Sequence, residues 1–157
     1  MKTLVVYASK KGYAKECARH VADGIGSDSI AVQVGREANT ANIDNYEAVI
    51  VGGSIHMGNL SGSLKSWLAN HAQELLEKPL GLFVCGLGEE EQEQYFTKNF
   101  PSELLEHAKI KCYLGARLIL KQYNPIIRAM MKKITKKDED IHMERPEAVK
   151  ACADAFK

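Results

Sequence analysis

The first fourteen residues constrain the fold most. Thr3-Leu4-Val5-Val6-Tyr7 is a continuous β-branched and aromatic run, and Ala8-Ser9-Lys10-Lys11-Gly12-Tyr13-Ala14 leads from it into a helical pattern. A run without polar alternation reads as a strand buried on both faces, as in a parallel sheet covered by helices. A loop that opens a helix leaves the first N–H groups unpaired at the positive end of the helix dipole, so main chain can hold an anion there. Ser9 adds a hydroxyl, Lys10 and Lys11 add charge, and Gly12 lets the backbone turn tightly. The same residues also read as an ordinary strand-to-helix turn with two solvated lysines. The loop is neither a Walker A motif nor a Gly-x-Gly-x-x-Gly dinucleotide fingerprint.

Downstream, strands and helices alternate. Apolar or small residues at helical spacing place a helix over Tyr13 to Ile25, and Ile30, Val32 and Val34 alternate as in an edge strand. Gly35 to Asn42 is polar and reads as loop. Ala48 to Gly53 is a buried strand, and a helix carrying Trp67 and His71 follows from Leu60 to Leu76; both residues read as core or core-edge. Leu80 to Cys85 is a fourth strand. An acidic helix over Glu89 to Asn99, a short helix to His107 and a last strand from Ile110 to about Leu114 complete the pattern. The alternation predicts an α/β fold with a five-stranded parallel sheet in the order 2-1-3-4-5, doubly wound with helices on both faces.

With 157 residues, 45% of them hydrophobic, the chain reads as one domain over 1–157 that buries roughly two-thirds of its unfolded surface. The formal charge of +1 argues against a nucleic-acid partner. The absence of a long apolar run or a signal-like start predicts a cytoplasmic protein. Cys17, Cys85, Cys112 and Cys152 are scattered, which suits buried, reduced thiols and no metal site.

In that strand order, ligands sit beyond the carboxyl ends, where Ser9 to Ala14, Ser54 to Asn59 and Cys85 to Gly88 converge. The third strand ends in Val51-Gly52-Gly53, without the aspartate of a response regulator. The first loop lacks the cysteine and arginine of a low-molecular-weight phosphatase. A flat, phosphorylated ligand remains. The two glycines closing the third strand read as room for a planar group to approach the backbone.

Ser9 and Gly12 match the flavodoxin phosphate loop, Ser/Thr-x-Thr-Gly-x-Thr, which the first loop resembles; Lys11 and Ala14 stand at hydroxyl positions. Met57-Gly58-Asn59 resembles the Met-Gly-Asp that lies against the isoalloxazine in some flavodoxins. The resemblance implies FMN. It places the phosphate on Ser9, Lys10, Lys11, Gly12, Tyr13 and Ala14. The ring then lies between Ser54, Ile55, His56, Met57, Gly58 and Asn59 on one side and Cys85, Gly86, Leu87 and Gly88 on the other. Gly58 would be where a peptide can turn over to meet flavin N5. His56 reads either as a group that bonds the ring or shuttles protons, or as an exposed loop histidine.

Phe100-Pro101-Ser102-Glu103-Leu104-Leu105, Tyr113-Leu114-Gly115-Ala116 and the basic segment that follows resemble the menaquinone-dependent protoporphyrinogen IX dehydrogenases. From Arg117 to Lys137 the chain carries Arg117, Lys121, Arg128, Lys132, Lys133, Lys136 and Lys137 and no acid. Ile126, Ile127, Met130, Met131 and Ile134 recur among them, predicting a basic amphipathic helix started by Asn124-Pro125 within an insertion at about 117–144. Such a helix either packs on the domain, holds an anionic porphyrin, or lies on an anionic membrane at its inner face, where the quinone of the resembling family resides. The expectation is an FMN oxidoreductase with a small redox substrate such as a porphyrinogen and a quinone as acceptor, with no side chain assigned to catalysis. A flavodoxin-type electron carrier and a non-catalytic flavodoxin-like binding module are the alternatives.

Overall fold

The computed structural model of the protein describes residues 1–135 and 139–157. Five strands, β1 (Thr3–Ala8), β2 (Ile30–Gln33), β3 (Ala48–Ser54), β4 (Leu80–Cys85) and β5 (Ile110–Tyr113), form a parallel sheet in the order β2-β1-β3-β4-β5. β1, β4 and all but the last residue of β3 are buried throughout, as their unbroken apolar runs require.

Alternate residues along each strand face opposite layers. Leu4, Val6, Val49, Val51, Leu82 and Val84 meet α3 (Gly62–Leu76), α4 (Gln92–Asn99) and α5 (Ser102–His107). Val5, Tyr7, Ile50, Phe83 and Cys85 meet α1 (Tyr13–Ile25) and α7 (Pro146–Asp154), with Cys17, Cys152 and Phe156 in that layer. All four cysteines are free and buried. Trp67 is buried, with the ring of His71 4.5 Å from its own.

Three differences from the sequence reading have local causes. The polar stretch after β2 contains a short helix, α2 (Arg36–Thr40), which needs only Ala38 buried to hold it. The acidic helix begins as a 3₁₀ turn, Glu89–Glu91, before α4. Tyr113 is not the end of the strands. β6 (Gly115–Leu118) and β7 (Ile141–Glu144) pair antiparallel into a separate ribbon, and α6 (Pro125–Thr135) lies between them in sequence.

The insertion is thus a ribbon that carries a helix. Asn124 caps that helix, its Oδ1 accepting from Ile127 N at 2.9 Å. Lys136, Lys137 and the side chain of Ile134 lie outside the described residues.

The glycines that close β3 serve packing. A Cβ on Gly52 would enter the carbonyl oxygen and ring of Phe83 on β4, and one on Gly53 would stand 2.7 Å from the Ala8 carbonyl oxygen on β1. The space read from the sequence as room for a planar ligand is therefore filled by neighbouring strands. Gly52→Ala should destabilise the protein by about 1–3 kcal/mol through overpacking of a central strand. Chemical denaturation checks this, with a lowered midpoint and an unchanged slope expected.

Candidate functional site

Because β1 lies beside β3 and β3 beside β4, their following loops emerge side by side at one edge of the sheet. They border a cavity of about 570 Å³, within the range of small-molecule and cofactor sites.

Ser9, Lys11, Tyr13 and Ala14 line it from the first loop. Gly12, at φ 96°, is the residue before α1, and no side chain caps that helix. Ser9 Oγ accepts from Gly12 N at 3.1 Å, closing the loop on itself. The N–H groups of the first helical turn remain at the loop with the dipole's positive end. Ala14 is buried in the core beside Cys17, so at this position only main chain can serve the cavity.

Ser54, Ile55, His56 and Met57 line it from the second loop. His56 and Asn59 exchange backbone hydrogen bonds of 2.9 and 3.1 Å, and Met57 and Gly58 both have positive φ, 52° and 81°. This is a two-residue hairpin turn of the type that needs φ > 0 at both central positions. Met57, a residue that rarely adopts this conformation, stands at the tip and is 97% exposed. Buried Asn99 holds the turn from behind. Its Nδ2 donates to the Gly58 carbonyl at 3.0 Å and to the Tyr95 carbonyl at 2.9 Å, and its Oδ1 accepts from Leu60 N at 2.9 Å.

Cys85, Gly86 and Leu87 line it from the third loop. Tyr95 braces this loop through its hydroxyl, which accepts from Gly88 N at 2.9 Å. Lys10, Gly12, Gly58, Asn59 and Gly88, which the sequence reading grouped with the site, shape the loops without lining the cavity.

The remaining wall is one that sequence reasoning missed. Ala116, Arg117 and Leu118 of β6, Tyr123, and Met131 of α6 close the cavity from the insertion. Gly86 N donates to the Gly115 carbonyl at 2.9 Å, fastening the ribbon to the end of β4. Arg117, counted in the sequence with a surface basic patch, instead donates to Glu16 Oε2 at 2.7 Å and lies 5.2 Å over the Tyr13 ring. Lys11 Nζ donates to the Gln122 carbonyl at 2.8 Å and stands 4.5 Å above the Tyr123 ring, while Gln122 Nε2 donates back to the Lys11 carbonyl at 3.1 Å. The available signal was slight, Arg117 standing between the apolar Ala116 and Leu118.

Burial is the leading cause of the shifts at Tyr13, Tyr123 and His56. Tyr13 is pushed up by burial and by its hydrogen bond with Cys17, and Tyr123 by burial alone. Cys85 is pushed up by its hydrogen bond with Cys17 and by burial. His56 goes the other way, lowered from 6.5 by burial and then by the charges of Lys10 and Lys11.

Comparison with known proteins agrees with this geometry. Residues 4–144 match the family model described as the flavodoxin domain. The chain belongs to the flavodoxin-domain family. Over 95 residues it is 25% identical to the protoporphyrinogen IX dehydrogenase [quinone] of Escherichia coli K12, an alignment covering 55% of this chain and 49% of that protein. The chain thus matches about half the length of that curated relative.

An archaeal flavodoxin superposes with a TM-score of 0.55 at 15% identity, over 99% of this chain and 94% of its own. A flavodoxin of Streptococcus pneumoniae TIGR4 gives 0.55 at 15%, over 98% and 96%. At these identities the flavodoxins attest to the fold.

Asn99→Leu should cost about 1–3 kcal/mol, because it leaves the buried Leu60 N–H without its acceptor and the Gly58 carbonyl without its donor. Faster amide exchange at Leu60, with the amides of β1 keeping their protection, is the expected readout.

Proposed function

We propose that the protein is an FMN-dependent oxidoreductase acting on a lipophilic small molecule. The observation that carries this is the meeting of three strand-end loops and the insertion around one cavity, with an uncapped helix start at one end. The residues fit FMN. The phosphate would be held by the main chain of Tyr13 and Ala14 with Ser9 and Lys11, Gly12 setting the turn that presents them. The ring would lie between the Ile55-His56-Met57 side and Cys85-Gly86-Leu87. Bound there, the flavin supplies the hydride chemistry, while the chain anchors it, orients it and limits access of water.

The substrate class follows from the fourth wall. α6 turns Met131 to the cavity and leaves Ile126, Ile127 and Met130 exposed, at 75%, 40% and 57%. Exposed apolar side chains interleaved with Arg128, Lys132 and Lys133 suit the interface of an anionic membrane. A lipophilic redox partner could reach the cavity along that face. A porphyrinogen donor with a quinone acceptor, the chemistry named for the Escherichia coli relative, meets both requirements. The alternative of a flavodoxin-type electron carrier fits less well, because the insertion closes a side that protein partners would approach and its surface is basic rather than acidic. No described helix is long and apolar enough to cross a membrane, so contact would be peripheral.

The purified protein should carry or take up FMN, with a flavin absorption band and an upward thermal shift. A colourless protein that gains neither on addition of FMN would overturn the assignment. Gly12→Val should weaken FMN binding by roughly five- to thirtyfold, because a residue with a Cβ loses about 1–2 kcal/mol in the left-handed conformation and the loop relaxes away from it.

Replacing Ile126 and Met130 by Ser, and Lys132 and Lys133 by Gln, should reduce sedimentation with vesicles containing anionic lipid. FMN affinity should be unaltered in that variant. Equal sedimentation of the variant and the unaltered protein would refute the membrane contact.

A further inference from the structure

Removal of two electrons from an organic substrate releases protons as well as hydride, so the cavity needs a group that can take one near neutral pH. Among the described residues lining it, the titratable side chains are few. Tyr13, Cys85 and Tyr123 are all raised, which keeps them protonated. Lys11 and Arg117 are engaged with the Gln122 carbonyl and the Glu16 carboxylate. His56 is left. It is half-buried on the wall, its backbone is fixed by the hairpin, and its Nε2 lies 3.2 Å from Ser54 Oγ, which lines the same cavity.

We propose that His56 is the proton-exchanging group of this site and that an anion on the first loop sets its basicity. The proposal rests on the flavin reading for its oxidant. A flavin held at this site would supply the oxidant, taking the hydride from a substrate C–H that stands beside an N–H or O–H. The N–H or O–H bond gives its proton to the neutral imidazole, directly or across Ser54 Oγ, and the imidazolium returns it to solvent. A double bond forms between carbon and heteroatom, so atoms and charge balance.

Control by the anion follows from the neighbours. Lys10 and Lys11 face the ring from the first loop and oppose its protonation. Arg117 lies on the opposite wall, already neutralised by Glu16. Behind the hairpin stand Lys65, whose Nζ donates to Asn59 Oδ1 at 3.2 Å, and Lys98, close to Gly58. A phosphate on the first loop offsets the two loop lysines and strengthens the base. The site is thus a weak base when empty and a stronger one when loaded. By linkage, the anion binds more tightly as pH falls through the His56 titration of the loaded form.

The test uses the full chain without added flavin. The His56 ring signal, assigned by its loss in His56→Gln, is titrated by NMR in sulfate and in chloride at matched ionic strength; sulfate keeps its charge throughout. The expected midpoint is below 6.5 in chloride and higher by roughly half a unit or more in sulfate, with the Tyr13 and Ala14 amides displaced by sulfate. A midpoint that sulfate leaves unmoved, whether or not those amides respond, overturns the proposal.

In the flavin-loaded state, His56→Gln and the unaltered protein are compared at saturating FMN. The rate of flavin reduction by substrate should fall at least tenfold at neutral pH and lose its inflection on the acid side. Retention of that inflection would also overturn the assignment. Failure of the unaltered protein to take up FMN removes the flavin reading instead, and the sulfate titration distinguishes the two.

Discussion

The architecture of the site depends on how closely β1 and β3 approach at their carboxyl ends. The register sets Ala8 opposite Gly53, and the fit is so close that a methyl group on Gly53 would press on the Ala8 carbonyl. This brings a loop that starts a helix and a loop that makes a hairpin into contact range. Parallel pairing makes it possible, since both strands then deliver their following loops to the same edge. Phe83, seated over Gly52, fixes the neighbouring strand and with it the third loop.

Around that edge the chain divides its labour between main chain and side chain. The first loop offers backbone dipoles and two lysines. The second offers a strained turn whose geometry is held from outside by Asn99. The insertion adds aromatic and apolar surface that the three loops lack, and Lys11 links the two halves through Gln122 and Tyr123. An ammonium shared between a carbonyl and an aromatic face joins the first loop to the insertion electrostatically.

Much of this was legible in the sequence, and the reasons are local. Short, β-branched apolar runs such as Ala48 to Val51, closed by glycine and alternating with helix-spaced segments, mark buried strands, so strands and their order followed. The loops followed from the strand ends. The ribbon did not, because β6 and β7 are four residues each and 22 residues separate Leu118 from Ile141. Pairing between such short, distant segments leaves little periodic trace. Arg117 looked like one of several surface cations because its partner, Glu16, lies 101 positions away. The exposed loop histidine that residue type alone allows is in fact a wall residue, and only the hairpin at Met57-Gly58 places it there. The glycines of β3 mark a close approach, as sequence reading had it, though of strand to strand.

Gly86 carries a consequence for recognition. Its N–H is committed to Gly115 and its carbonyl receives the Tyr113 hydroxyl, so this residue has no N–H left to offer the cavity. A guest lying against Gly86 would find shape there and no main-chain donor. Donors for the rim of such a guest would have to come from neighbours of Gly86, the hairpin or the helix start.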